Sequence, residues 1–275
     1  VTYGLSVRAR GFRASNVTVP YACDGVIICG SEDVSLTSII IVKAKMYGVL
    51  IDNSNASLTD VTIKEARYGV CIAYSNASLS GVSIKEAGDD GVYVEGSSAS
   101  LMNVAVGDAA RGVWIAYSNA SLMNVAVERA WSDGVCIEDS NASLTGVEVF
   151  DAESWGVVMA NSSVSLLGVN IGKAGDDGVF ILDSRASLSG VEVLSAGSCG
   201  VYIEGSGNVS LRRVAVHRAG GDGLVISDSR AVAGSSLTLN ATRCGVHICN
   251  SSGVSLADVT GPTPRRASAS SRRGA

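Results

Sequence analysis

The sequence predicts an all-β fold: a single-stranded, right-handed parallel β-helix, or solenoid, of about twelve rungs of about 22 residues. A glycine followed by an aliphatic residue recurs every 21 to 23 residues, and the residues after each glycine alternate in hydrophobicity. Repeats of this length are typical of solenoids, and alternation with period two is typical of strands. The glycines are Gly4, Gly25, Gly48, Gly69, Gly91, Gly112, Gly134, Gly156, Gly178, Gly200, Gly223 and Gly245.

Each repeat holds two clear strands and a shorter third one. With the glycine as position 0, positions 1 and 3 are aliphatic, as in Val113 and Ile115, and so are positions 13 and 15, as in Val61 and Ile63. The short strand is predicted between them, around an Ala-Ser-Leu sequence. Such a unit cannot bury its apolar face alone, so each strand is expected to pair in parallel with its counterpart one rung away, at about 4.8 Å. Parallel crossovers are nearly always right-handed, which gives the predicted hand.

The stacked rungs account for the unusual composition. Of the 275 residues, 47% are hydrophobic, 17% are charged and only 5% are aromatic, because the bore of such a coil is too narrow for rings. Serine occupies position 6 in eleven repeats, so we expect a column of stacked hydroxyl groups. Alanine recurs at position 18, where we expect its small side chain to point inward at a corner of each rung. The chain is too apolar for intrinsic disorder, and its aliphatic runs are too short for a membrane span.

The sequence divides into residues 1–260, the predicted β-helix, and residues 261–275, a predicted disordered basic tail. The net charge of the whole chain is −5 although the tail is basic, so the body is acidic and no nucleic-acid partner is expected. Bare terminal rungs expose strand edges, so they are expected to pair with further chain or with another subunit. The compartment stays open, with an extracellular or cell-surface location favoured.

Two segments repeat a pair of aspartates at a rung corner. They are Gly88-Asp89-Asp90-Gly91-Val92-Tyr93-Val94 and Gly175-Asp176-Asp177-Gly178-Val179-Phe180-Ile181. With the repeat, this pattern resembles the pectin-lyase-like superfamily, and the paired aspartates resemble the Gly-Asp-Asp-Cys rung of polygalacturonases. The resemblance implies a polysaccharide as substrate or ligand. The further catalytic residues of polygalacturonases are replaced here. On the rung before each aspartate pair, Tyr68 or Trp155 stands where that family has an aspartate. On the rung after it, Arg111 or Cys199 stands where the family has a histidine.

A largely apolar stripe is predicted at position 2, which points outward between the inward positions 1 and 3. One interpretation is simple β-propensity on a flat sheet. The other is a platform for sugar rings or for a partner surface, because contiguous apolar patches often mark interaction sites. The predicted ligand-binding residues are Tyr93, Trp114, Phe180 and Tyr202 on the stripe and Tyr117 beside it.

The predicted catalytic residues, if the protein is an enzyme, are Asp89, Asp90, Arg111 and Asp133. Asp90 and Asp133 lie two rungs apart, about 9.6 Å, which is at the edge of the range for an inverting glycosidase. Arg111 lies between them and is expected to neutralise both, so a charge-balanced surface ladder explains the same residues. No cofactor is expected, although Asp89 and Asp90 with Glu95 could hold calcium.

Three functions follow as hypotheses. The first is a non-catalytic β-helix scaffold for surface interaction, plausibly with polysaccharide. The second is a polyuronide hydrolase or lyase that uses the region of Asp90 and Asp133, and the third is a purely structural or assembly module. Near-identical rungs favour the first and third, because a catalytic site requires irregular groups that converge.

Overall fold

A computed structural model describes residues 2–261, and within them the chain consists of strands and turns. The first six rungs contain β1 (Tyr3–Val7), β2 (Arg13–Val19), β3 (Asp24–Cys29), β4 (Val34–Ile41), β5 (Tyr47–Asp52), β6 (Asn55–Ile63), β7 (Tyr68–Ala73), β8 (Asn76–Glu86), β9 (Asp90–Glu95), β10 (Ser98–Ala109), β11 (Arg111–Ala116) and β12 (Asn119–Ala130). The remaining rungs contain β13 (Val135–Glu138), β14 (Asn141–Thr145), β15 (Glu148–Ala152), β16 (Val157–Ala160), β17 (Ser163–Leu167), β18 (Asn170–Ala174), β19 (Val179–Leu182), β20 (Arg185–Ser189), β21 (Glu192–Val193), β22 (Val201–Glu204), β23 (Gly207–Arg212), β24 (Ala215–Ala219), β25 (Leu224–Ser227), β26 (Arg230–Ala241), β27 (Val246–Cys249) and β28 (Ser255–Thr260).

The strands form two parallel sheets that wind around one core. Sheet A has twelve strands, one from each rung, in the order β1-β3-β5-β7-β9-β11-β13-β16-β19-β22-β25-β27. Sheet B holds the other sixteen. Pairing joins each residue to its counterpart on the next rung, as in Val92 with Val113 and Val113 with Val135. The predicted solenoid of about twelve rungs is confirmed.

The predicted short third strand is separate only in some rungs. In β10 and β12 it runs on into the following strand, whereas β14 and β15 are distinct. The same bend occurs in both cases, because the residue there has a positive φ: 53° at Asn103, 52° at Asn124 and 60° at Gly146. Asparagine and glycine tolerate this left-handed conformation better than other residues do.

Aliphatic columns fill the core. Val92, Val94, Leu101 and Val106 are each fully buried, with no exposed surface, and every interior rung repeats this arrangement. Glycine is required at position 0 because the backbone of the next rung and a core side chain approach its Cα closely. A Cβ atom on Gly112 would lie 2.5 Å from the carbonyl oxygen of the next rung's glycine and 2.5 Å from a methyl carbon of Val127.

The predicted serine column is a buried hydrogen-bond ladder. Ser118 accepts a 3.0 Å bond from the backbone N–H of Ser97, and its own N–H donates to the Oγ of Ser140 at 3.0 Å. The Oγ of Ser118 also donates to the carbonyl oxygen of Ala116 at 2.7 Å. The ladder supplies hydrogen-bond partners for buried polar groups at the corner between a strand of sheet A and the following strand of sheet B. A buried hydroxyl without such a partner would destabilise the fold.

The alanines at position 18 form a buried column at a second corner, as predicted. Ala109 and Ala130, for example, have no exposed surface.

Residues 2–261 contain no helix long and apolar enough to cross a membrane. The predicted basic tail lies, apart from Gly261, outside the described residues.

Candidate binding face

Two aromatic rings meet on the outer face of sheet A. β9 and β11 pair in register, so Tyr93 lies directly opposite Trp114 at position 2 of adjacent rungs. Their ring centroids are 4.6 Å apart and their planes are inclined by 34°. Both side chains are half-buried, so each ring keeps part of its surface accessible from solvent.

Arg111 covers the same pair of rungs. Its guanidinium carbon lies 3.7 Å from the centroid of the Trp114 ring, which is a cation–π geometry. Its Nε donates to Oδ1 of Asp90 at 2.7 Å, and its Nη2 to Oδ2 at 3.4 Å. The Asp90 side chain is only 2% exposed. Burial raises the pKa of Asp90, and the bond from Arg111 opposes that rise.

Asp133 lies on the other side of Arg111 but has different partners. Its carboxylate accepts a long bond, 3.5 Å, from the backbone N–H of Trp155, and burial raises the pKa of Asp133. In the described part of the chain, the ion pairs of Arg111 include Asp90 only. The positive charge of Arg111 nevertheless acts to lower the pKa of Asp133, so neutralisation of both aspartates by Arg111 stays a prediction. The guanidinium lies over the Trp114 ring and directs two of its nitrogens toward Asp90.

Asp89 is separated chemically from Asp90 although the two are adjacent in sequence. Its Oδ2 accepts a 2.6 Å bond from Nε of Arg67 on the preceding rung. Of the four predicted catalytic residues, only Asp90 and Arg111 pair with each other, whereas Asp89 pairs with Arg67 and Asp133 accepts a backbone bond. Of the predicted calcium ligands, Asp89 and Asp90 bind different arginines. Residues 2–261 hold no group of three histidine, cysteine or acidic side chains suited to a metal ion.

A second aromatic group lies further along the same face. Trp155 stacks on Phe180, with centroids 5.6 Å apart and an interplanar angle of 24°. Phe180 in turn meets Tyr202 at 5.3 Å. The predicted Phe180 and Tyr202 are thus brought together, whereas Tyr117 lies on the turn after β11, 67% exposed and apart from these rings.

Sequence reasoning missed one column of this face. Trp155 occupies the position before the repeat glycine, as do Tyr47 and Tyr68, whose rings stack at 5.4 Å. Aromatic residues at that position were the available signal. Aromatic rings on this face therefore come from two positions of the repeat, position 2 and the position before the glycine.

One polar atom of the face has no partner. The indole Nε1 of Trp114 is buried and is without a hydrogen-bond partner within residues 2–261. Indole N–H groups are donors only, and a buried unpaired donor is costly. The arrangement of Tyr93, Trp114 and Arg111 therefore offers a ligand two half-exposed rings and a fixed cation, while the indole donor itself is shielded from solvent.

Comparison with family models identifies the chain. Residues 111–262 match the model described as right handed beta helix region. Residues 4–163 match the model described as periplasmic copper-binding protein (NosD). Each match covers more than half of the sequence. The chain belongs to both families. The right-handed hand predicted for this β-helix is thereby confirmed.

The copper named in the second family does not fit the residues of this β-helix. Copper sites favour histidine, cysteine and methionine ligands. The two histidines lie apart and each faces a carboxylate: His217 lies 2.6 Å from Glu192, and His247 lies 3.3 Å from Asp222. Among the described residues no third donor joins either of them to form a metal-binding group.

Solved structures resemble this β-helix at low sequence identity. A tailspike protein mutant of E. coli bacteriophage HK620, in complex with hexasaccharide, gives a TM-score of 0.55 at 12% identity. The match covers 92% of this chain but only 58% of the tailspike. The periplasmic alginate epimerase AlgG gives 0.47 at 13% identity, with 88% and 78% covered. The mannuronan C-5 epimerase AlgE6 A-module of Azotobacter vinelandii gives 0.43 at 15%, with 96% and 91% covered.

These likenesses show the fold alone, because the identities are so low. No curated protein matches the sequence. The activity of this β-helix must therefore be argued from its own surface.

Proposed function

We propose that this protein is a non-catalytic β-helix scaffold that binds polysaccharide through the outer face of sheet A. The observation that carries the proposal is the cluster of Tyr93, Trp114 and Arg111. The two tilted rings lie 4.6 Å apart between centroids, and the Arg111 guanidinium carbon lies 3.7 Å from the Trp114 centroid. Aromatic rings present a flat apolar surface with a polar edge, which suits the mixed apolar and hydroxylated faces of a sugar ring. The tailspike that shares the fold was solved with a hexasaccharide, which supports this ligand class.

The charges of the face support binding rather than catalysis. A general acid or base must reach the proton that it transfers, but both oxygens of Asp90 are occupied by Arg111. Asp89 is likewise paired with Arg67. If Asp90 acted as a catalytic acid or base, its buried ion pair with Arg111 would have to break in each turnover.

The test is a glycan array combined with a degradation assay on acidic polysaccharides. We expect the wild type to bind at least one polysaccharide without cleaving it, and Trp114→Ala to weaken binding by about tenfold or more. The matched control is Trp131→Ala, because Trp131 is 45% exposed but lies off this face. Equal weakening by both variants, or unchanged binding by Trp114→Ala, would overturn the proposal.

A second candidate function is a polyuronide hydrolase or lyase. Burial raises the pKa of both Asp90 and Asp133, and raised carboxyl pKa values are common at catalytic sites. Cleavage of an acidic polysaccharide by the wild type, lost in Asp90→Ala, would favour this candidate. A chain that neither binds nor cleaves any polysaccharide would favour a purely structural or assembly module.

The proposal includes a setting and partners. We place the protein outside the cell or at its surface, in keeping with the periplasmic location named for the NosD family. Its partners are a polysaccharide or a protein surface, with no nucleic acid and no cofactor. The last rung exposes Ile248 by 44% and Val259 by 40%, so its edge is suited to pairing with further chain or with another subunit.

A further inference from the structure

A long groove runs along the outer face of sheet B, away from the aromatic face. Its volume is about 1120 Å³ and its lining extends from Asp33 to Ser210, across nine consecutive rungs. The floor consists of the Asn-Ala-Ser segments that recur at positions 7 to 9 of the repeat. Side chains this small leave the sheet surface recessed.

The groove is bounded at both ends by an extra residue. Asp33 and Asn208 have φ values of 55° and 56°, and each belongs to a repeat of 23 residues rather than 21 or 22. An inserted residue with left-handed backbone is a bulge, which bends the strand and redirects side chains. The floor between the two bulges is regular, so the groove has defined ends.

The floor presents an ordered set of polar groups. The amide of Asn76 donates to Asn55 at 3.0 Å, and that of Asn141 donates to Asn119 at 3.1 Å. These bonds order two pairs of amides, and each amide has further donors and acceptors beyond them. The serines that follow are exposed to solvent.

At its C-terminal end the groove opens into a polar recess of about 460 Å³. Asp139, Asn161 and Asp183 line it from one column, where each has a φ between 47° and 50°. Arg185 and the bulge residue Asn208 line it from the floor. This volume lies within the usual range for a small-molecule site.

The recess contains two acidic side chains and one basic side chain. Some charged side chains on other parts of the rod pair between rungs, as in Arg129 with Asp108 and Lys173 with Asp151. No ion pair or side-chain hydrogen bond within residues 2–261 involves the side chains of Asp139, Asp183 or Arg185. Acceptors and a donor of opposite charge are thus left free in one concavity.

A metal ion does not explain this arrangement. Asp139 and Asp183 lie two rungs apart, about 9.6 Å, whereas one calcium ion needs all its oxygen ligands at about 2.4 Å. A polyanion does not explain it either, because the recess carries one more acid than base. A neutral molecule with many hydroxyl groups can donate to the carboxylates and accept from the guanidinium at once.

We propose that this groove is a second glycan site, which binds an extended neutral oligosaccharide with one sugar held in the recess. That sugar donates hydroxyl protons to Asp139 and Asp183 and accepts from Arg185, and the following sugars lie on the asparagine and serine floor. Tyr117 occupies the same column as Asp139 one rung earlier and is 67% exposed, so its ring is available to the next sugar. The site is independent of the aromatic face of sheet A.

The chain supplies a matched pair of variants for the test. Asp183→Asn with Arg185→Ala alters positions 5 and 7 of one rung inside the recess. Asp228→Asn with Arg230→Ala alters the same positions two rungs further on, outside it. Asp183 and Asp228 share a left-handed backbone, with φ values of 47° and 51°, and asparagine tolerates that conformation. Thermal unfolding shows whether both double variants remain folded.

The measurement is titration calorimetry of the full chain with maltohexaose, cellohexaose and mannohexaose, and with hexagalacturonate and calcium chloride as comparators. We expect at least one neutral hexasaccharide to bind, with about tenfold or greater loss in the first double variant. Binding should stay unchanged in the second double variant and in Trp114→Ala, which tests the other face.

Three results would overturn this proposal. One is the absence of binding by every neutral hexasaccharide. Another is equal loss in the two double variants, and the third is binding of hexagalacturonate or calcium that depends on Asp183. Loss in Trp114→Ala alone would assign the ligand to sheet A and leave only the proposed function standing.

Discussion

Arg111 determines the character of the aromatic face, because one side chain contacts both a ring and a carboxylate. It lies on Trp114 at 3.7 Å and is bound to an Asp90 side chain that is 2% exposed. A charge buried to that extent is tolerated only with a partner. The ion pair therefore holds the guanidinium over the ring and occupies both carboxylate oxygens of Asp90.

Replacing Arg111 with methionine should destabilise the fold in a pH-dependent way. Burial already raises the pKa of Asp90 above its unfolded value, so protonation favours the fold, and this contribution is lost as the pH rises through the folded-state pKa. Without Arg111 the pKa rises further. We expect a loss of about 2–3 kcal/mol at about pH 7 and a smaller loss at about pH 4, measured by urea unfolding.

The control for this variant is Arg129→Met. Arg129 pairs with Asp108 at 2.8 Å, but its side chain is 58% exposed, so its removal should cost less than about 1 kcal/mol. A loss for Arg111→Met that is equal at both pH values would show that Asp90 does not depend on its arginine.

The sequence predicted which residues share this face but not how they pair. Position within the repeat was enough to place Tyr93 beside Trp114 and Arg111 beside Asp90. The side-chain torsion that turns Arg111 toward Asp90 rather than Asp133 depends on where the Trp114 ring lies, and that depends on packing. Sequence spacing carries no information about such a choice.

At the scale of one element, a rung is defined by how closely it approaches the next. The glycine at position 0 lies at the start of each rung because of close packing. The serine at position 6 follows the sheet A strand in eleven of the twelve rungs and links them through hydrogen bonds. The repeat predicted both columns, since each recurs at fixed spacing. It did not predict the bulge at Asn208, because a single inserted residue can be placed at any turn until the strand register is known.

Gly112→Ala should therefore be among the most damaging single-methyl additions. Its Cβ would lie 2.5 Å from Val127 and 2.5 Å from a backbone oxygen that cannot move without breaking the sheet. We expect a loss of about 2–3 kcal/mol in denaturant unfolding. The matched control is Gly207→Ala, whose Cβ meets only one atom, at 3.8 Å, and which should change stability by less than about 1 kcal/mol. Similar losses in both variants would contradict this account of the glycine column.

The whole molecule is quasi-one-dimensional, because each rung pairs only with its two neighbours. The stability of such a rod is close to a sum of rung and interface contributions. Interior and terminal rungs then differ even when their sequences are alike. Val104 and Val106 in β10 are 1% and 0% exposed, whereas Ile248 in β27 and Val259 in β28 are 44% and 40% exposed.

Hydrogen exchange should follow this gradient in exposure. Within residues 2–261, β27 and β28 pair with a strand on one side only, so opening them breaks one described interface, whereas opening β10 breaks two. Local opening needs less free energy where fewer contacts are lost. We expect mass spectrometry of the 275-residue chain to show protection rising from β28 toward β10.

The variant Gly112→Ala tests the same argument inside the rod. Because coupling passes only between adjacent rungs, exchange should increase first in β9 to β13 and leave β20 to β25 unchanged at short times. If protection instead falls by the same factor in every strand, the rod unfolds as a single cooperative unit, and its rungs do not behave as separable elements.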